Sequence, residues 1–370
     1  MRSKRNEANI EEKYYIASQW QLMWRKLKRH KLALIGGGVL TIFYIAALFC
    51  EFFAPYDTLT RHQEYTFCPP QRLHIFHEKK LHLRPFVYKY IRERDPVSLR
   101  WKYTEDKTVR YPIHFFTRGV EYKLWNSIPG ATHFFGAKDG VIFLFGTDKL
   151  GRDMFSRIIY ASRISLTIGL VGVSISFVLG CILGGISGYF GGAIDTIIQR
   201  IVEFLISIPT IPLWMALSAA LPPMWSPISV YFGITVILSI VGWTGLARVV
   251  RGKLLELREE DFVIAAKISG TGELTIITKH LLPSFLSYLI VSLTLSIPGM
   301  ILAETSLSFL GLGIRPPTVS WGTLLKQAQN VSAVVQNPWL LIPGIFVIVA
   351  VLAFNFLGDG LRDAADPYKQ

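Results

Sequence analysis

Residues 204–247 read FLISIPTIPLWMALSAALPPMWSPISVYFGITVILSIVGWTGLA, a run of 44 residues without Asp, Glu, Lys or Arg. A helix that crosses a bilayer needs roughly 20 apolar residues, so this run holds two spans. Leu221-Pro222-Pro223 and Ser226-Pro227 mark the turn between them, because proline removes a backbone donor and disfavours continued helix. The same signal recurs outward in uncharged runs at 33–50, 164–194, 280–303 and 327–358. Six spans are predicted, and the fold class is an all-α membrane protein. A soluble chain can also be 51% hydrophobic and 18% charged, so the clustering of charge decides the class and the totals do not.

About thirty residues precede the first run, and FCEFFAP at 49–55 is not a small-residue cleavage site, so this run is expected to remain as an anchor. Orientation follows from Lys and Arg in short segments. They gather in WRKLKRHK at 24–31 and in the loop holding Arg248, Arg251, Lys253, Arg258, Lys267 and Lys279, whereas 311–326 has only Arg315 and Lys326. Both termini and that loop are therefore expected on the cytoplasmic side of the cell (inner) membrane. The net charge of +13 needs no nucleic acid to explain it.

The chain divides into a basic tail (1–32), a first span (33–55), an insertion (56–145) and a membrane domain (146–370) with a cytoplasmic loop at 248–283. In the tail, Trp20, Met23, Trp24 and Leu27 recur at helical spacing beside basic residues, which suits a helix in the headgroup region or a plain topology anchor. The insertion (RLHIFHEKKLHLRPFVYKY, RWKYTEDKTVRYPIHFF) is too aromatic for a disordered linker. Alternation at 108–116 and many turn residues predict short strands and loops, hence an extracytoplasmic, mixed α/β or loop-rich subdomain. His62, His74, His77, His82 and His114 match no closed ligand spacing, so no metal site is assigned. Cys50, Cys68 and Cys181 form no disulfide framework, although a Cys50–Cys68 bridge is conceivable.

Between two spans lies FVIAAKISGTGELTIITKHLLP at 262–283. Phe262, Ala265, Ala266 and Ser269 recur at helical spacing, and Gly270-Thr271-Gly272 ends that helix. Glu273 falls in the first turn of a second helix, where an acid favours the dipole, and Leu282-Pro283 opens the next span. The segment reads as a helix–turn–helix elbow whose small side chains at Ala265, Ala266 and Gly270 let another protein approach closely. Glu203 and Glu304 border spans and are functional candidates by default. Gly311, Gly313 and Pro316-Pro317 predict an irregular segment dipping toward a pathway. Asp148 is read as a helix N-cap, with Arg152 and Asp153 pairing.

AAKISGTGELTIITKHLLP resembles the EAA loop of ABC-importer permeases, which docks on the ATPase. The stretches FGTDKLGRDMFSRIIYASRISL (145–166), GYFGGAIDTIIQR (188–200), ARVVRGKLLELREEDF (247–262), SLSFLGLGIRPPTVSWGTLL (306–325) and FNFLGDGLRDAADP (354–367) are similar to the C-type permease subunit of oligopeptide, dipeptide and nickel importers. Together they cover nearly everything after residue 144. The resemblance implies the type I ABC importer permease fold and one half of a peptide pathway. It also implies a second permease as heterodimer partner, two ATPase subunits that bind ATP and Mg, and an extracytoplasmic solute-binding protein. It assigns ATPase coupling to Ala265, Ala266, Gly270, Gly272, Leu282 and Pro283. Asp148, Arg152 and Asp153 become candidate contacts for the binding protein, and Glu203 and Glu304 candidates for the pathway or the contact between subunits. Two departures stand out: Ile264 occupies the position of the motif's acid, and the insertion is longer than usual.

No cofactor and no catalytic residue is assigned to this chain. A P-loop needs Gly, four residues, then Gly-Lys-Ser/Thr, yet Gly252-Lys253 is followed by Leu254, and Ala247 stands at the required upstream position. Import of nickel or another metal chelate fits the same architecture. A self-sufficient secondary transporter would predict paired mid-membrane charges or inverted repeats and leave the elbow without a purpose. A membrane enzyme would need a nucleophile–base or metal constellation, and the spans contain almost no His, Asp or Glu.

Overall fold

The computed structural model describes residues 19–77, 80–94, 96, 101–125 and 127–365. The apolar runs become helices: α1 (Gln19–Leu27), α2 (Lys31–Leu48), α3 (Cys50–Phe53), α4 (Met154–Phe190), α5 (Gly192–Ser207), α6 (Thr210–Ala219) and α7 (Pro227–Leu257). After them come α8 (Asp261–Ile268), α9 (Leu286–Phe309), α10 (Trp321–Leu325), α11 (Val331–Gln336) and α12 (Ile342–Ala365). Among the described residues, five segments are long and apolar enough to cross a membrane, and α5 with α6 make a sixth only as a pair bent by 88°.

That bend corrects the reading of 204–220 as one helix. Ile208 precedes Pro209 and is extended, with φ −87° and ψ 128°. The proline ring clashes with a helical residue before it, so the helix must stop there. The turn expected at Pro222 and Ser226 is present, and Ser226 caps α7 by accepting from the Ser229 amide at 3.2 Å.

One buried cluster joins the spans. Leu40 of α2, Ile158 and Leu166 of α4, Ile234 of α7, Ile301 of α9 and Ala350 of α12 all belong to it. At one end, Met23 and Leu27 of α1 pack with Ala33 and Ala364, and Ser287 donates to Met23 Sδ at 3.5 Å. The tail helix, the end of α12 and the start of α9 thus share one end of the bundle. The insertion lies at the other. It holds two antiparallel sheets, β1 (His74–His77), β2 (Lys80–Arg94) and β3 (Trp101–Pro112) in that order, then the hairpin β4 (His114–Leu124) and β5 (Ile128–Gly136).

Strands were expected there, but not their length, since β2 runs to 15 residues, and among the described residues the only helical element is the short turn Gln63–Tyr65. Phe135 and Val87 pack over Phe155 of α4, which fastens the sheets to the bundle. Cys50, Cys68 and Cys181 are free and buried, so the conceivable Cys50–Cys68 bridge is absent.

Candidate functional site: the elbow and its connections

α8 ends as its glycines require. Gly270 sits at φ +78°, its amide bonds the Lys267 carbonyl at 3.0 Å, and the Thr271 amide bonds that of Ala266 at 3.1 Å. These paired bonds close a helix on a left-handed residue, a conformation that costs a side chain about 1–2 kcal/mol. The second helix is a composite: Glu273–Thr275 opens it, Ile276–Leu281 is a π-helical stretch, and Leu282–Ser284 follows. The chain breaks at Phe285 (φ −123°), so α9 begins at Leu286 and not at the Leu282 expected to open it.

The elbow has two unlike faces. Val263 and Ala266 turn inward with Ile276, Ile277 and Leu281, against Val250 and Leu254 of α7 and Cys181 of α4. Outward stand Phe262, Ile264, Ile268 and Leu274, from 43% to 83% exposed. Ala265, Gly270, Gly272 and Pro283 are also exposed, and Leu282 is half-buried. The small-sided face expected from Ala265 and Ala266 is therefore corrected. Adjacent helical residues point about 100° apart, so only one of the two faces outward, and large apolar side chains dominate the surface.

Beneath the elbow, α4 meets α7 backbone to backbone. A Cβ on Gly184 would stand 2.5 Å from the Ala247 carbonyl oxygen, and one on Gly188 would stand 2.7 Å from that of Arg251. Small residues at this spacing let spans approach closely. Arg251 also clamps Asp195 of α5 through two bonds of 2.5 Å.

Other site residues lie elsewhere. Asp153, not Asp148, caps α4, accepting from the Ser156 amide at 2.7 Å. Asp148 is fully buried and holds Arg152 and Arg157 at 2.6 Å each. Burial alone would raise its pKa, but the two guanidiniums outweigh it and hold the carboxyl below the usual range. Asp153 is pushed up to about 6 by burial. With Asp148 and Asp153 inaccessible and Arg152 turned onto Asp148, none of the three presents its charge to a binding protein. Gly151 explains the tight turn here: at φ +71°, a Cβ would meet the His62 carbonyl oxygen at 2.1 Å.

Glu304 is fully buried within this chain, receiving Ser308 Oγ at 2.6 Å and Ser165 Oγ at 3.2 Å. Ser165 in turn accepts from the Trp321 amide, and Ser308 from that of Ile314. The carboxylate thereby fastens the irregular segment after α9 to α4, and that segment packs inward on Ile314 and Val319. Glu203 is 63% exposed on α5 and pairs with Arg200. Sequence reasoning passed over His133, whose ring nitrogens meet the carbonyl oxygens of Ala54 and Val120 at 2.6 and 2.8 Å.

A cavity of about 310 Å³ opens between α4, α6, α7 and α9. Ser176, Trp214, Gly242, Ser292, Ser296 and Met300 line it, and no described residue in its lining is charged. The Trp214 indole nitrogen is buried without a hydrogen-bond partner among the described residues.

Residues 18–70 match the N-terminal transmembrane domain of oligopeptide transport permease C. A dipeptide transport system permease, DppC of Bacillus subtilis, is 42% identical over 60% of this chain and 68% of its own length. An oligopeptide transport system permease, OppC of Haemophilus influenzae, is 41% identical over 68% of this chain and 78% of its own. An inward-facing MetNI methionine ABC transporter structure covers 56% of this chain and 97% of its own, with 21% identity and a TM-score of 0.43. Residues 176–369 match the family of binding-protein-dependent transport system inner membrane components. That match extends over more than half of the chain, and the chain belongs to this family.

Proposed function

We propose that this chain is the permease subunit of an ATP-driven peptide importer, forming half of the pathway and coupling to ATPase subunits through the elbow at 262–283. The peptide assignment rests on the relatives, which are named as dipeptide and oligopeptide transport permeases. The coupling assignment rests on one observation: an exposed apolar surface of Phe262, Ile264, Ile268 and Leu274 stands on a buried cluster that reaches α7 and α4. A partner ATPase closing on ATP and Mg would push this surface. The route favoured by the packing runs through Val263 and Ala266 to Leu254 and Val250, then across the glycine contact into α4. Rigid-body transmission of this kind requires contacts that differ between the two states.

In this reading the elbow and both termini are cytoplasmic, and the strands of the insertion lie outside. A second permease completes the pathway, and an external binding protein delivers the peptide. The uncharged cavity beside Trp214 is the part of the pathway that this chain contributes. With Ile264 where the motif carries an acid, no salt bridge forms from that position, so docking there is apolar.

Gly270→Trp tests the assignment. Nothing stands within 4 Å of the Cβ position, so the added cost is the left-handed backbone, about 1–2 kcal/mol. The variant is expected to insert and co-purify with the second permease while ATP hydrolysis runs free of peptide uptake in vesicles. Uptake equal to wild type would remove the elbow from the mechanism, and transport by the chain alone would remove the ATPases.

A further inference from the structure

The hairpin β4–β5 has no part in the coupling just described. Its tip is tied to the end of the first span. The indole Nε1 of Trp125 donates to the carbonyl of Leu48, the last residue of α2, at 2.9 Å, and its ring lies 5.9 Å from that of Phe49. Arg163 marks the same level independently. Its guanidinium bonds the carbonyls of Ala47 and Leu48 at 2.9 and 3.0 Å and both carboxylate oxygens of Glu51 at 2.7 and 2.6 Å. A charged pair of this kind belongs at the edge of the hydrocarbon and not at its centre. Trp125 therefore sits at the depth where headgroups meet acyl chains.

From that level the aromatic side chains continue outward. Phe52 meets Phe116 and Phe134 at 6.1 and 6.0 Å, and Phe134 meets Phe115 at 5.7 Å. Yet Phe116 is 67% exposed, Phe115 56%, Ile128 53% and Trp125 47%, much like Leu48 at 50% on the span itself. Phe116 and Trp125 both adopt φ +52°, a conformation bulky residues rarely take. Water gives no return for turning large apolar groups outward at such a cost, whereas the membrane interface favours Trp and Phe at this depth.

We propose that the β4–β5 hairpin is a membrane-surface anchor. Trp125, Ile128 and Phe116 rest in the headgroup–acyl boundary of the leaflet where α2 ends, so one half of the insertion lies on lipid. The occupant is the bilayer because the patch is continuous with the lipid-facing side of α2 through the Trp125–Leu48 bond. This inference needs only that α2 spans the membrane, and it stands apart from the choice of cargo.

The test places a nitroxide label at Ile128→Cys, and separately at Phe116→Cys, in the chain reconstituted in lipid nanodiscs with its co-purifying subunits. Asp139→Cys, exposed in the insertion just after β5, serves as reference. Collision with dissolved oxygen, which enters lipid, is compared with collision by a water-soluble nickel chelate. The expected result is a reversal of the oxygen-to-nickel ratio at Ile128 and Phe116 relative to Asp139. Nickel dominance at both sites means a water-facing hairpin and overturns the proposal. Protection from both reagents means that a protein subunit covers the patch, and overturns it equally.

Discussion

Substituting alanine for Gly184 adds one methyl group where α4 and α7 touch through their backbones. The new Cβ would lie 2.5 Å from the Ala247 carbonyl oxygen and 2.9 Å from its Cα, against 3.4 Å or more for ordinary contact. The obstacle is main chain, so no side chain can swing aside, and the helices must part by most of the shortfall. Overpacking of this kind costs about 1–3 kcal/mol. Its neighbour supplies the control. At Gly185 the nearest atom to a new Cβ is Ile277 Cγ2 at 3.5 Å, which is ordinary contact. Both substitutions gain the helical preference of alanine over glycine, about 1 kcal/mol. Gly184→Ala should therefore be the less stable by about 1–3 kcal/mol, roughly 5- to 150-fold in the unfolding equilibrium. Denaturant titration of the two purified variants in the same detergent reads this directly, with the order Gly185→Ala, wild type, Gly184→Ala. If Gly184→Ala matched Gly185→Ala, the close approach of α4 and α7 would not exist as described.

Asp148→Asn leaves two buried guanidiniums without their carboxylate and should cost about 3–5 kcal/mol, seen as lost folded protein after solubilisation; adding Arg157→Met should recover part of it. Asp153 binds its proton more tightly folded than unfolded, so its contribution to stability falls as pH rises from the ordinary aspartate range through about 6. Asp153→Asn keeps a competent cap and should lose that part of the pH dependence in thermal unfolding scans; unchanged scans from pH 4 to 7 would refute the assignment. Glu304→Gln keeps one oxygen acceptor and offers its amide N–H to the other serine hydroxyl, so it should support transport, while Glu304→Ala should lose about 2–5 kcal/mol of stability. A stable but inactive Glu304→Gln would return the residue to the pathway.

The spans and the elbow were legible because their signals are local. Runs without charge, the stop at Gly270 and the acid at Glu273 act over one or two helical turns. What escaped depends on partners distant in sequence. Whether Ala265 or Ala266 faces outward is settled by Leu254 and Cys181, and the burial of Asp148 by Arg157 and by Gln327, 179 residues away. The bend at Pro209 was within reach, since SIPTIP carries two prolines; the longer apolar run around it outweighed them. Glu304 stood out as a carboxyl bordering a span, and Ser308 lies one turn on in the same helix, but Ser165 on α4 could not be paired with it from spacing alone.

The cavity beside Trp214 is mostly apolar, with three serine hydroxyls and an indole among its lining, and it presents no countercharge to an ammonium or carboxylate. A zwitterionic cargo entering it would find nothing to hold its ends, so its dwell there would be brief and nearly indifferent to sequence. If this cavity lines the pathway, discrimination among cargoes falls to the second permease or to the binding protein. Engineering a single acid or base into this lining should turn a slippery conduit into a trap, slowing throughput most for the cargo it attracts best.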